Sequence, residues 1–300
     1  TVKEVVGQLK SEYNIEDTTF VGDRGMITKL NLTRLEGEGF EYIMGVKHRQ
    51  DEICNMLLSE QVDEVDHQLY KGLKIRERRV TVKEFLIWKC QKIIREQQPD
   101  LADEKFSLLQ KAILSLSNTS EPQSRDYKRI VENIIKGIDT PVYNKLFRGI
   151  KKYQGRYEDE LRYVICLNEQ RKAESEKKRQ ISITKLSEEL DKVFSKNARF
   201  KQNRDIDKAL SKIFEGYKVK FKKLFTIARD AKSQKAIGYS LNQAKIEQEK
   251  KFDGIFVLLS SRYDLKASEV VESYKNLKEV EMLFDDLKNF VDIRPIRHWL

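Results

Sequence analysis

Two stretches decide the reading of this chain: Thr18–Thr28, TTFVGDRGMIT, and Tyr274–Lys288, YKNLKEVEMLFDDLK. In the first, an apolar run ends in the turn Asp23-Arg24-Gly25, which predicts a buried strand over Thr18–Gly22 with a carboxylate at its carboxyl end. In the second, Tyr274, Glu281 and Lys288 recur at steps of seven. A step of seven falls only about 20° short of two helical turns, so the three residues share a face. Val270, Leu277, Phe284 and Val291 fall on that face and make it the packed side, while Lys275, Lys278, Asp285 and Asn289 form the outer one. An unpartnered carboxylate on a packed stripe costs several kcal/mol or stays protonated. Glu281 in that position therefore points to a cation beside it: Lys288, an arginine or a metal ion.

Working outward, Val2–Tyr13 and Lys29–Glu38 read as helices and Phe40–Val46 as the next strand. Strand, turn, helix and strand within about 30 residues is the size of a βαβ unit, which predicts neighbouring parallel strands. From Arg49 to about Lys212 glycine is scarce and helix formers dominate. Helices are expected over Asp51–Leu58, Thr81–Glu96, Ala102–Leu116, Tyr127–Lys136 and Ile183–Phe194, interrupted at Pro99 and Ser117–Ser124. Tyr217–Leu224, YKVKFKKL, alternates apolar and basic residues and reads as a half-exposed strand that pairs with Ala236–Leu241. Gln243–Lys251 reads as a charged helix and Asp253–Ser260 as a buried strand. Ala267–Phe290 reads as a long helix with Ser268 as its N-cap.

Hydrophobic residues make up 39% of the 300, enough for a real core, and charged residues 35%, against about 25% in an average soluble domain. No apolar run approaches the roughly 18 residues of a membrane span, and TVKEVVGQLK lacks a signal-peptide layout, so no membrane partner and a cytoplasmic setting are expected. Cys54, Cys90 and Cys166 form neither a disulfide framework nor a CxxC pair, and His48, His67 and His298 are too few for a histidine-rich metal site. The net charge is +10; Arg171–Asp230 alone holds 18 Lys and Arg against 9 Asp and Glu, a local excess suited to a polyanion.

With these residues in place, the chain resembles DDE transposases of the bacterial insertion-sequence type. Asp23 in FVGDRGM looks like the second acid of that family. Tyr274, Glu281 and Lys288 match its Tyr-x2-Arg-x3-Glu-x6-Lys signature, with Leu277 standing where the signature has Arg. DIRPIRHW, Asp292–Trp299, is similar to the stretch that follows the signature in one branch of the family, and GIFVLLSS, Gly254–Ser261, to the strand before it. The resemblance covers roughly residues 15–50 and 250–300. It implies an α/β fold, an incomplete ribonuclease H-like core interrupted by a large, mainly helical insertion with a small strand pair. The expected divisions are 1–50 and 251–300 for the core, carrying the second and third acids, and 51–250 for the insertion.

The resemblance also implies a chemistry. Asp23 and Glu281 would be catalytic metal ligands for two Mg²⁺ or Mn²⁺ ions. Lys288, Tyr274, Arg294 and Arg297 would hold DNA, with Arg24 a further candidate for the missing guanidinium. The partner would be duplex DNA, transposon ends and target, bound by a homodimer. Two ions about 3.5–4 Å apart clamp an in-line phosphoryl displacement, which needs oxygen ligands and neither His nor Cys. The family's first Asp lies on an earlier strand, and Glu16 and Asp17 stand too close before Asp23 to fill that place. It is expected outside this chain, which then reads as a partial copy, inactive alone. The competing reading is a non-catalytic basic helical protein that binds DNA or a partner. A nucleotide-binding reading of VGDRG fails on loop spacing. Asp23 and Glu281 carboxylates converging within about 4–8 Å would favour the first reading.

Overall fold

The computed structural model describes residues 12–13, 18–25, 32, 35–60, 68–97, 107, 159–195 and 203–291. In chain order these form β1 (Thr19–Gly22), β2 (Glu41–Gly45), α1 (Glu52–Leu57), β3 (Gln68–Tyr70), β4 (Leu73–Thr81), α2 (Val82–Gln97), β5 (Glu160–Leu167) and α3 (Glu169–Phe194). There follow α4 (Asn203–Glu215), α5 (Val219–Lys222), β6 (Phe225–Arg229), β7 (Ala236–Leu241), α6 (Gln243–Lys250), β8 (Ile255–Ser260) and α7 (Ala267–Val291). The expected helices Val2–Tyr13, Ala102–Leu116 and Tyr127–Lys136 lie outside the described residues, apart from Glu12, Tyr13 and Ser107.

The chain divides into two compact units, one running to Cys166 and resuming at Phe256, the other Leu167–Ile255. The first holds a mixed six-stranded sheet in the order β1-β2-β8-β5-β4-β3. β1 and β2 are parallel, Thr19 opposite Glu41 and Gly22 opposite Met44, as the βαβ spacing predicted. β2 and β8 are antiparallel, with Ile43 opposite Ser260. α7 packs on β1, β2 and β4, burying Ala267, Val270 and Val271 against Ile43, Leu73, Ile75, Val164 and Leu258. α1 and α2 pack on one another, and Ile53, Met56, Phe85 and Leu86 are all buried. Both start as their sequences dictate: Asp51 Oδ1 accepts from Cys54 N–H, and Thr81 Oγ1 from Glu84 N–H.

The divisions differ from those expected. β3, β4 and β5 fall inside the 51–250 segment yet belong to the same sheet as β1, β2 and β8. β4 hides in the sequence because LKIRERRVT carries four cations and an acid. Two of those charges are compensated inside the fold. Arg76, largely buried, donates to Leu57 O at 2.7 Å and to Glu60, and Glu77 accepts from the fully buried Arg162 at 2.6 Å. Arg162 holds Glu77 below the usual carboxylate range. β3 and β4 are joined by Lys71-Gly72, both with positive φ (45° and 76°), the two-residue turn that matches hairpin twist.

The second unit has its own core, in which Ile183, Leu186 and Leu190 of α3 meet Ile206 and Leu210 of α4, Leu224, Phe225 and Ile246. Here the strand expected over Tyr217–Leu224 is replaced by a turn and the single helical turn α5. The partner of Ala236–Leu241 is instead Phe225–Arg229. Tyr217, Phe221 and Leu224 are spaced i, i+4, i+7 and pack into the core together, so the period was helical although alternation masked it. Ser268 is not the N-cap of the last helix either. α7 begins at Ala267, and Glu269 reaches back to accept from Lys266 N–H at 2.6 Å.

Candidate functional site

Asp23 stands directly after β1, exposed, at the carboxyl ends of the parallel pair β1 and β2. That edge is where open α/β sheets present ligand-binding residues. The segment between β8 and α7 is stitched to the sheet and so fixes how α7 arrives there. Arg262 donates to Thr19 Oγ1 at 2.6 Å, Ser261 Oγ accepts from Tyr42 N–H at 2.8 Å, and Arg162 holds Leu265 O at 2.7 Å and Arg262 O. Two turns into α7, the half-buried Tyr274 stacks on Phe256, ring centroids 6.4 Å apart. Its hydroxyl donates to Asp23 Oδ1 at 3.3 Å, closing a contact across 251 residues of chain. Burial, then the Asp23 carboxylate, raise the Tyr274 phenol above its ordinary pKa, and Arg24 opposes them.

This placement depends on Gly45, the last residue of β2. A Cβ there would lie 2.5 Å from Tyr274 Oη and 3.0 Å from its Cζ, so any side chain drives the tyrosine off the sheet. Gly45→Ala is expected to cost about 1–3 kcal/mol, the usual penalty of overpacking. Part of that cost should vanish in a Tyr274→Phe background, because the closest contact is to the hydroxyl while the ring carbons at 3.0 and 3.1 Å remain. Thermal melts of the four-variant cycle would read this coupling, and additive effects would mean the two residues do not meet.

His48, buried just beyond β2, is held at a pKa of about 4 by burial and then by the cations Arg24 and Arg49. It is neutral in the folded chain, whereas the unfolded chain takes up a proton near pH 6.5. The unfolded state therefore binds more protons between those values. The contribution is whole above pH 6.5 and is lost as pH falls towards 4, on the order of 2–3 kcal/mol. Urea unfolding at pH 7 and pH 4.5, wild type against His48→Gln, checks this; a pH dependence unaltered by the substitution would contradict it.

Of the residues singled out in the sequence, Asp23 and Tyr274 are brought together, and Arg24 acts on both Tyr274 and His48. Glu281 and Lys288 lie on α7, about 10 Å and about 20 Å beyond Tyr274 along the helix axis, but their side chains fall outside the described residues. Arg294 and Arg297 lie outside them altogether. The packed stripe is described as far as Leu277, half-buried, with Val270 fully buried; Val280, Met282 and Leu283 are exposed. Phe284 and Val291 fall outside the described side chains. Among the described residues no group of three His, Cys, Asp or Glu is placed to hold a metal ion. Gly45 and Phe256, which seat Tyr274, were not legible beforehand: the first marks only the end of a strand and the second one core residue among many.

A cavity of about 350 Å³ is lined by Glu36, Tyr42, Glu160, Arg162, Ser260 and Tyr263, among others. It lies towards the amino ends of β1 and β2, away from Asp23, and its polar groups are engaged with one another: Tyr42 with Glu36, and Tyr263 with Glu160 O. The three cysteines are buried free thiols, and burial pushes Cys90 and Cys166 up to about 12, which leaves them unreactive at neutral pH. No helix of the described residues is long and apolar enough to cross a membrane.

The chain is thus a mixed α/β protein with an acid–tyrosine pair at the carboxyl edge of a parallel strand pair. No family model, curated protein or solved structure matches it.

Proposed function

We propose that this chain is part of a DDE transposase, a metal-dependent enzyme of DNA strand cleavage and transfer. The observation that carries the reading is the Tyr274–Asp23 contact. Tyr274 of the helical signature and Asp23 at the end of β1, both residues of the resemblance, meet across 251 residues of chain. The parallel β1–β2 pair with α7 packed on it supports an incomplete ribonuclease H-like core.

In this reading Asp23 and Glu281 hold two Mg²⁺ or Mn²⁺ ions together with a first Asp outside this chain. Asp23 suits a hard cation: its carboxylate is exposed, and Tyr274 engages only Oδ1. When bound, such ions would activate the attacking oxygen and steady the leaving one. The chain's own part is positional. Tyr274 fixes the Asp23 carboxylate, and Lys288 with Arg24, Arg294 and Arg297 grips the phosphates beside the cut, as cations suit them. The binding partner is duplex DNA, held by a homodimer, in the cytoplasm.

The chain joined to its upstream reading frame, carrying that first Asp, is expected to nick supercoiled plasmid with Mg²⁺ or Mn²⁺ and to stop when the ion is chelated. Binding of DNA with no nicking under either ion would favour the second reading, a non-catalytic DNA-binding protein. The concentration of positive charge in the Leu167–Ile255 unit suits that reading equally well.

A further inference from the structure

The chain's net charge of +10 is carried by one of its two compact units. Leu167–Ile255 contains 23 Lys and Arg and 13 Asp and Glu, while the rest of the chain balances at 35 of each. Within that unit some of the cations are compensated. Arg179 is buried on Asp253, Arg229 pairs with Asp207 at 2.7 Å, Lys250 with Glu247 at 2.8 Å and Lys172 with Glu169 at 3.6 Å.

Lys218, Lys220, Lys222 and Lys223 stand within six residues, in a stretch, 216–228, that holds no acid. The fold turns this segment into a ridge: Tyr217, Phe221 and Leu224 anchor it in the core, Lys218, Lys220 and Lys223 are exposed, and Lys222 is half-buried. Among the described residues no carboxylate pairs with any of the four lysines. Glu189 accepts from the Tyr217 hydroxyl at 2.9 Å. A rigidly anchored, uncompensated run of four cations in six residues attracts a polyanion more strongly than the same charges spread among acids.

We propose that the lysine ridge of α5 is a phosphate-backbone contact for duplex DNA. The choice of DNA as the polyanion rests on the reading of the chain as a DNA-processing protein; the ridge itself rests on charge and packing. A lysine that neutralises one phosphate releases condensed counterions, so log K falls with log salt by about 0.9 per contact.

The test uses the whole 300-residue chain and a duplex oligonucleotide, with binding measured by fluorescence anisotropy across a salt series. The triple variant Lys218→Glu/Lys220→Glu/Lys223→Glu is compared with Lys177→Glu/Lys178→Glu/Lys185→Glu, an equal charge change on exposed positions of α3 in the same unit. The ridge variant is expected to lose at least about tenfold in affinity and to flatten the salt slope by about 3, and the α3 variant to keep a slope near that of the wild type. All three proteins should melt alike, because the changed side chains lie on the surface.

Equal losses in the two variants would mean that net charge alone attracts DNA and would overturn the ridge. So would unchanged DNA binding by the ridge variant, or absence of binding by the wild type. Loss of binding to phosphatidylserine vesicles with DNA binding intact would overturn it too and assign the ridge to a membrane surface. None of these readouts involves strand cleavage. A failure to nick plasmid refutes the transposase reading and leaves the ridge standing, and a failed ridge leaves the nicking test as it was.

Discussion

In the chain joined to its upstream reading frame, Asp23→Asn is expected to lower metal-dependent nicking by at least about 10³-fold, some 4 kcal/mol of barrier, while DNA affinity stays within about twofold. The substitution changes charge without changing shape. Asparagine keeps an oxygen where Asp23 Oδ1 receives the Tyr274 hydroxyl, so the carboxyl edge of β1 and the seat of α7 remain as they are. What disappears is the negative charge that a divalent cation requires of its oxygen ligands. Glu281→Gln should do the same, for the same reason, if the third acid of the signature completes the site. Lys288→Ala should behave differently and weaken end binding before it slows cleavage, because in the proposed site it would remove a phosphate contact and no metal ligand. Plasmid nicking and anisotropy measured on the same protein batches separate these outcomes. An Asp23→Asn or Glu281→Gln protein that nicks as well as its parent would falsify the assignment of that residue as a metal ligand.

Asp253→Ala is expected to destabilise the Leu167–Ile255 unit by about 3–5 kcal/mol, the cost of leaving one member of a buried ion pair uncompensated. Arg179 and Asp253 are each less than a tenth exposed. The guanidinium meets the carboxylate with two nitrogens on two oxygens, one contact at 3.0 Å and the other shorter. Removing the acid strands a cation with no water to solvate it. Replacing both partners by apolar residues, Arg179→Met/Asp253→Leu, should cost much less, because a desolvated pair roughly breaks even against apolar packing. Urea unfolding followed by circular dichroism measures both. A single-variant loss below about 1 kcal/mol would mean that Arg179 reaches water once its partner has gone.

Much of the local structure was legible from periodicity and caps. α1, α2, α6, α7, β1, β2, β7 and β8 lie where apolar spacing put them, within a residue or two. The parallel pairing of β1 and β2 followed from the length of the segment between them. The misreadings have a common cause. β4 and β5 carry charges that sequence patterns assign to solvent, and the contacts of Arg162 with Glu77, 85 residues apart, and with the carbonyls of Arg262 and Leu265 make a fully buried guanidinium tolerable. At Tyr217–Leu224 the alternation of lysines outweighed the helical spacing of the three aromatic and apolar anchors, since periods of two and of 3.6 overlap over so short a run.

The sequence by itself determined the chemistry on offer: an acid after an apolar strand, a helix with tyrosine, acid and lysine on one face, and a basic stretch in its last half. Those properties are local, set by side-chain type and by the pitch of the helix. Only the tertiary structure decided which of them meet. Tyr274 reaches Asp23 because β8 delivers α7 onto β1 and β2 and because Gly45 leaves room for the hydroxyl. The excess charge became the property of one compact unit because the chain folds into two separate cores, and no local pattern records where one core ends and the next begins.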